Sequence, residues 1–123
     1  MILGIGVDIA EIARIAAAHE RHQARFLERL LTADEREHWQ ASGARIESLA
    51  GIWAAKEAVS KALGTGFSGF GLRDVAILHD GHGKPEVRLL AEALRLAESR
   101  GIKHVLVTIS HSSGQAIAFA LAQ

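Results

Sequence analysis

The longest helical pattern in the sequence runs from about Arg45 to Leu63 and leads directly into a glycine-rich segment. Its apolar stripe consists of Leu49, Ile52, Trp53, Val59 and Leu63. Lys56 falls within that stripe, where a lysine is costly unless it is paired or reaches water. We therefore expect the chain to be organised around this helix, with Lys56 either a buried structural lysine or a second charge at a functional site.

Short strand patterns lie at both ends of the chain and in its middle. Residues 2–9 alternate so that Gly4, Gly6 and Asp8 share one face, and two glycines on one face indicate close approach of another backbone or a ligand. The pattern predicts that the Asp8 carboxylate looks out over an open surface. Further strands are predicted at 74–79, 86–90, 104–111 and 115–121.

Helical patterns fill the segments between the strands. One runs from about Glu11 to Leu31 with a possible break near residues 19–22, and a capping box at Thr32 and Glu35 begins a shorter one. Another covers residues 91–100. Strands at the ends and helices between them predict an α+β fold. The length of 123 residues predicts one compact domain over 1–123, with a small, mostly antiparallel sheet packed on the long helix.

Composition narrows the class of protein. Fourteen basic and fourteen acidic side chains cancel, so bulk charge indicates neither nucleic acid nor a membrane as partner. There is no cysteine, which excludes disulfides and thiolate sites. The first residues lack a signal-peptide pattern, and no apolar run approaches the roughly 20 residues of a membrane span. We expect a soluble cytoplasmic domain whose helix-borne and glycine-lined faces need a partner subunit for full cover.

Asp8 and Glu57 are the candidate metal ligands. Magnesium prefers one or two carboxylates, with water and phosphate oxygens completing its coordination. Glu57 lies four residues before Lys61 on the long helix, so the two side chains are neighbours. The alternatives are a helix N-cap or turn role for Asp8 and a simple ion pair between Glu57 and Lys61.

The segment behind the long helix begins Gly64-Thr65-Gly66 and continues with further glycines to residue 71. The spacing of Gly64, Gly66 and Gly69 matches a dinucleotide motif, but that motif follows a strand, whereas this segment follows a helix. Its free backbone amides can wrap a phosphate. The alternative is an ordinary surface loop.

Histidine and arginine supply the remaining candidates. His111 lies at the mouth of the last predicted hairpin and is either a turn residue or a contact to a phosphate or base. Its neighbour Ser110 would point to the opposite face, so a hydrolase triad finds no support, and the other histidines lack zinc-site spacing. Four arginines form a helical stripe that is either a solvated face or a docking surface for an acidic partner: Arg14, Arg21, Arg25 and Arg29.

Together these segments resemble the holo-acyl-carrier-protein synthase family, the small 4′-phosphopantetheinyl transferases of bacterial fatty acid synthesis. The resemblance covers the whole chain and is carried by residues 4–15, 25–26, 30–35, 49–66, 83–85 and 107–112. It implies a magnesium-dependent transfer of 4′-phosphopantetheine from coenzyme A to a serine of apo acyl carrier protein, with release of 3′,5′-ADP. It also implies a homotrimer with coenzyme A bound between subunits.

The resemblance also implies a role for each candidate residue by its position in these motifs. Asp8 and Glu57 would hold magnesium, and Glu57, Lys61 and His111 would serve catalysis. The resemblance leaves the general base open, and our hypothesis is a water activated by Glu57 or His111. The coenzyme A cleft would be lined by Lys61, Gly64, Thr65, Gly66, Lys84, Pro85 and His111. The acidic carrier protein would meet Arg14, Arg21 and Arg25.

Two positions depart from the family pattern. Ile52 stands where the family commonly has arginine, so a phosphate contact or salt bridge is missing or comes from elsewhere, Arg45 being one source. His82 stands where asparagine often precedes the Gly-Lys-Pro turn. Two other functions stay open: a non-catalytic trimer that retains coenzyme A or nucleotide, and a hydrolase that releases 3′,5′-ADP without a carrier.

Overall fold

The computed structural model describes residues 1–123 and has an α+β architecture, as the sequence predicts. Ten helices and strands follow one another as β1 (Gly4–Glu11), α1 (Ile12–His22), α2 (Ala24–Leu30), α3 (Ala33–Ala41), α4 (Ile46–Ala62), β2 (Val75–His79), β3 (Pro85–Leu89), α5 (Ala91–Ser99), β4 (Val105–Ser112) and β5 (Gln115–Ala122). A short 3₁₀ turn, Leu72–Asp74, precedes β2. No helix is long and apolar enough to cross a membrane.

Local signals in the sequence account for the helix boundaries. The break in the first helical segment falls at Gln23, whose φ of 44° interrupts the helix just after the predicted position. The capping box is confirmed: Thr32 Oγ1 accepts from the Glu35 amide at 3.2 Å, and the Thr32 amide donates to Glu35 Oε1 at 2.8 Å. The arginine stripe is therefore split between two helices.

The strands form two antiparallel groups. β5 lies between β1 and β4 in a three-stranded sheet, and β2 and β3 form a separate hairpin. The register pairs Asp8 with Ala118, which in turn pairs with Ile109. Because α4 packs across one face of the three-stranded sheet, side chains on that face of β1 point toward the helix.

The layer between α4 and the sheet is made of glycine and alanine. A Cβ at Gly4 or Gly6 would collide with the backbone carbonyl oxygen of Ala62 or Ala58, respectively. On β5, the alanines at positions 116, 118, 120 and 122 are fully buried beneath the helix. The expectation of an open surface beside Asp8 is therefore wrong: the backbone that approaches the glycines is that of α4.

Gly6→Ala is expected to destabilise the fold, because the added methyl group meets the rigid backbone of α4. Overpacking of this kind costs about 1–3 kcal/mol. Gly81→Ala is the matched control, since a Cβ there meets nothing within 4 Å. Chemical denaturation of both variants measures the difference, and equal free energies of unfolding would contradict the close approach.

The opposite face of the three-stranded sheet is apolar and exposed. Val7 keeps 53% of its surface exposed and Phe119 keeps 41%. The other large apolar residues on this face are Ile5, Ile9, Leu106 and Ile117. The sequence expectation placed the uncovered surface on the glycine-lined face. The uncovered surface is instead the apolar face opposite α4, because α4 packs on the glycine-lined face. Monomeric proteins rarely expose contiguous apolar surface of this kind.

Lys56 is a buried structural lysine. Its Nζ lies 2.8 Å from Glu35 Oε1 and donates to the carbonyl oxygens of Leu30 and Leu72, and both charged side chains are fully buried. Glu35 Oε2 also accepts from the Ile77 amide at 2.8 Å. Burial lowers the pKa of Lys56, and the Glu35 carboxylate opposes that shift. One ion pair thus joins α2, α3, β2 and the 3₁₀ turn to α4.

Candidate phosphate and metal site

Asp8 on β1 and Lys61 on α4 meet across the narrow helix–sheet layer. Lys61 Nζ lies 3.2 Å from Asp8 Oδ1 and donates to the Val7 carbonyl oxygen at 2.9 Å. The ion pair between Glu57 and Lys61, considered from their spacing, does not form. The N-cap alternative for Asp8 is also wrong, because Asp8 lies within β1 and Glu11 occupies the N-cap of α1.

Glu57 is a half-buried carboxylate whose side chain accepts no hydrogen bond and forms no ion pair. Burial raises the pKa of Glu57, the negative charge of Asp8 raises it further, and Lys61 acts in the opposite direction. The negative charges of the two carboxylates therefore repel each other. Such a pair binds a cation favourably, since the cation relieves the repulsion and supplies the missing partner.

The donor set fits magnesium. No group of three or more His, Cys, Asp or Glu side chains converges anywhere in the chain, so the protein offers at most the two carboxylates of Asp8 and Glu57. Magnesium is bound in this way when water and substrate phosphates supply its other ligands, whereas structural zinc sites need four protein ligands. Lys61 already brings one positive charge to Asp8.

A cavity of about 450 Å³ opens beside Glu57. Its other lining residues are Arg29, Phe67, Gly71, Leu72, Arg73 and Asp74. Arg29 and Arg73 bring positive charge to the cavity that Glu57 lines, yet sequence reasoning assigned neither to the site. Arg29 was visible only as part of the arginine stripe, and Arg73 follows no recognisable motif.

The amides of the Gly64–Gly66 segment are less available than the sequence indicates. The Gly64 amide donates to the Lys61 carbonyl at 2.9 Å, and the Gly66 amide donates to the Ser60 carbonyl at 3.1 Å. Only the Thr65 amide makes no such bond. Positive φ angles of 93° and 61° at the two glycines allow this helix ending. Within Gly64–Gly66 the expectation of free amides is therefore corrected to one, whereas the amides of residues 67–70 also make no backbone hydrogen bond.

His111, Lys84 and Pro85 lie at the other end of α4. The His111 Nε2 atom is 2.9 Å from the carbonyl oxygen of Glu47 and lies beside Gly51, which precedes Glu57 by six residues, or about 9 Å along the helix axis. Lys84 and Pro85 lie on the β2–β3 turn, where Asp80 Oδ1 accepts from the Lys84 amide at 2.9 Å. Within one copy of the chain, the candidate residues therefore form two separate groups, one around Asp8 and Glu57 and the other around His111 and the β2–β3 turn.

A second cavity, of about 430 Å³, lies at this end of α4. Ile52 and Arg45 both line it, together with Gly83 of the β2–β3 turn. Ile52 is buried, whereas Arg45 is exposed and pairs with Glu47 at 3.3 Å. Arg45 therefore brings a guanidinium to the cavity that Ile52 lines.

The three arginines expected to meet a partner are all exposed. Arg14 and Arg21 lie on α1, and Arg25 lies on α2, beyond the break. None of them forms an ion pair within the chain. Arg25 also lines a cavity of about 260 Å³ whose wall includes Phe26 and Trp53. This surface combines unpaired positive charge with an apolar recess.

Comparison with known proteins relates this geometry to one family. The family model described as "4'-phosphopantetheinyl transferase superfamily" (ACPS) matches residues 4–120. The holo-[acyl-carrier-protein] synthase of Alkaliphilus metalliredigens is 48% identical over 99% of this chain and 99% of its own.

Two solved structures share the fold. The holo-[acyl-carrier-protein] synthase from Neisseria meningitidis has a TM-score of 0.92 and 35% identity, covering 100% of this chain and 99% of its own. That of Helicobacter pylori, in complex with coenzyme A, has a TM-score of 0.86 and 32% identity, covering 97% of this chain and 99% of its own. This chain belongs to the ACPS family of the 4′-phosphopantetheinyl transferase superfamily.

Proposed function

We propose that this protein transfers the 4′-phosphopantetheine group from coenzyme A to a serine of apo acyl carrier protein and releases 3′,5′-ADP. The observation that carries the proposal is the contact of Lys61 with Asp8 across the helix–sheet layer, with the unpaired Glu57 carboxylate one turn away on the same helix and beside an open cavity. The relatives' names support the reaction, and the Helicobacter pylori structure supports coenzyme A as the donor.

The chemistry requires positioning and charge stabilisation more than covalent participation by the protein. Asp8 and Glu57 would hold magnesium, which when bound neutralises charge on the pyrophosphate oxygens. Lys61 would exchange its contact with Asp8 for one with a phosphate. The serine oxygen attacks the β-phosphorus, the bond to 3′,5′-ADP breaks, and the hydroxyl proton passes through a water to Glu57 or His111.

We further propose a homotrimer with its sites between subunits. In one copy, His111 contacts α4 at Glu47 and Gly51 rather than at Glu57, and the apolar sheet face is uncovered. A second copy would resolve both features by covering that face and bringing its own His111, Lys84 and Pro85 to the Asp8 group. Gly64, Thr65 and Gly66 would form the opposite wall of the shared cleft.

Val7→Asp is expected to break this assembly, because a charge would have to be buried in the apolar interface. Sedimentation should show a smaller species, and transfer activity should fall with it. Gln40→Asp places the same charge at an exposed position of α3 and should leave both unchanged. A Val7→Asp protein that keeps its mass and activity would contradict the proposed interface.

The proposed docking surface for the acidic carrier protein consists of Arg14, Arg21 and Arg25, since all three guanidiniums are exposed and unpaired. Arg21→Glu is expected to raise the KM for the carrier by about 10-fold or more while the KM for coenzyme A stays constant. Arg88→Glu, on the exposed side of β3, is the control. Equal effects on both KM values would argue against this surface.

Mass spectrometry tests the function directly. The protein is incubated with coenzyme A, magnesium and several apo carrier proteins of fatty acid and polyketide synthesis. Transfer adds one phosphopantetheine to the carrier. Coenzyme A that is bound while no carrier gains mass would favour the non-catalytic module, and 3′,5′-ADP released without a carrier would favour the hydrolase.

We propose the cytoplasm as the location, which a sequence without cysteine supports.

A further inference from the structure

Arg100, directly after α5, lies against the end of α4. Its Nη1 donates to the carbonyl oxygen of Leu63 at 2.8 Å. A Cβ added at Gly64 would collide with the same nitrogen. The guanidinium therefore lies on the backbone at the point where the Gly64–Gly66 segment begins.

Most of the hydrogen-bonding capacity of this guanidinium is unused. An arginine has five N–H donors in a planar fork, and the Leu63 carbonyl accounts for one of them. No carboxylate lies within ion-pair distance of Arg100, and the residue is exposed. Arg95 on the same helix differs, because it is paired with Glu92.

The Gly64–Gly66 segment needs a cation if it is to contact a phosphate. It follows the C-terminus of a helix, which carries partial negative charge and repels anions. Two of its three amides are already bonded to α4, and Lys61 is directed toward Asp8. The backbone of Gly64–Gly66 therefore offers an anion one donor, the Thr65 amide. Arg100 supplies the missing charge and further donors.

We propose that Arg100 is a phosphate-binding residue of the coenzyme A site. The proposal rests on the proposed function above and adds a residue that no motif identifies. Coenzyme A carries two kinds of phosphate, the pyrophosphate and the 3′-phosphate, and a planar guanidinium suits either. Dephospho-coenzyme A, which lacks only the 3′-phosphate, distinguishes them.

The experiment compares Arg100→Gln with Arg95→Gln, the control from the same helix, in the full-length protein. Titration calorimetry gives the Kd of each variant for coenzyme A and dephospho-coenzyme A, and steady-state kinetics give KM and kcat. Loss of a hydrogen bond to a charged group is expected to weaken binding of coenzyme A by about 10- to 100-fold. Arg95→Gln should bind like the wild type.

Each outcome has one meaning. Weaker binding of coenzyme A alone supports a contact to the 3′-phosphate. Equally weaker binding of both donors supports a contact to the pyrophosphate if Arg100→Lys restores affinity. If lysine does not restore it, the cause is displacement of the loop and the proposal is overturned. Unchanged Kd values, or a lower kcat alone, also overturn it.

The calorimetric arm separates this proposal from the function on which it rests. If the wild type binds coenzyme A but transfers nothing to any carrier, the transferase function fails, while the Kd comparison still tests Arg100. If the wild type transfers normally and Arg100→Gln binds both donors as tightly, only the role of Arg100 fails.

Discussion

Replacing Glu57 by glutamine or Asp8 by asparagine is expected to reduce phosphopantetheine transfer by at least about 100-fold at low magnesium concentration. A neutral amide cannot balance a divalent cation, so the affinity for magnesium should fall first. In Asp8→Asn, Lys61 also loses the carboxylate that lies 3.2 Å from its Nζ. Initial rates measured across a magnesium titration give both the metal affinity and the limiting turnover.

The titration of Glu57→Gln separates two roles. Near-normal turnover at saturating magnesium would make Glu57 a ligand only, whereas persistently low turnover would add a part in holding the water that accepts the serine proton. Glu98→Gln, an exposed carboxylate on α5, is the control and should behave as the wild type. A Glu57→Gln protein with unchanged affinity and turnover would remove Glu57 from the site.

Lys56→Met is expected to destabilise the protein by about 3–5 kcal/mol, the usual cost of leaving one partner of a buried ion pair uncompensated. Glu35 would keep its hydrogen bonds from the Thr32 and Ile77 amides, but its charge would have no counterion. Since small domains have only about 5–15 kcal/mol of stability, this is a large fraction. Denaturant-induced unfolding measures the change.

Two further variants test the cause. Adding Glu35→Gln to Lys56→Met should recover part of the loss, because glutamine removes the unpaired charge but keeps only one of the two oxygen acceptors that the Thr32 and Ile77 amides use. Lys103→Met changes an exposed lysine and should stay within about 0.5 kcal/mol of the wild type. A double variant less stable than Lys56→Met would show that packing, and not charge, dominates at this position.

Local patterns in the sequence predict the secondary structure well, because the signals that begin and end these helices lie within a few residues. The long helix, the capping box at Thr32 and the break near Gln23 all follow from such signals. The role of Lys56 could not follow from them. Its partner Glu35 is 21 residues away on another helix, so only the tertiary structure brings the charges together.

The same limit applies to the site. The i,i+4 rule pairs Lys61 with Glu57, but α4 crosses the sheet so that Lys61 reaches Asp8, 53 residues earlier. The sequence places Gly4 and Gly6 on one face without saying whether a ligand or a helix approaches them. The contact of Arg100 with the end of α4 could not be predicted either, because it depends on where α5 ends relative to α4 in the tertiary structure.

The glycine and alanine layer under α4 sets the distance between the two carboxylates of the proposed metal site. Asp8 is carried by the strand and Glu57 by the helix, so the thickness of this layer sets how far apart the carboxylates stand. The magnesium–oxygen distance is restricted to about 2.0–2.1 Å, so the site tolerates little displacement of α4 by an added methyl group. Enlarging a glycine or alanine of this layer should therefore impair the metal site as much as neutralising one of the two carboxylates does.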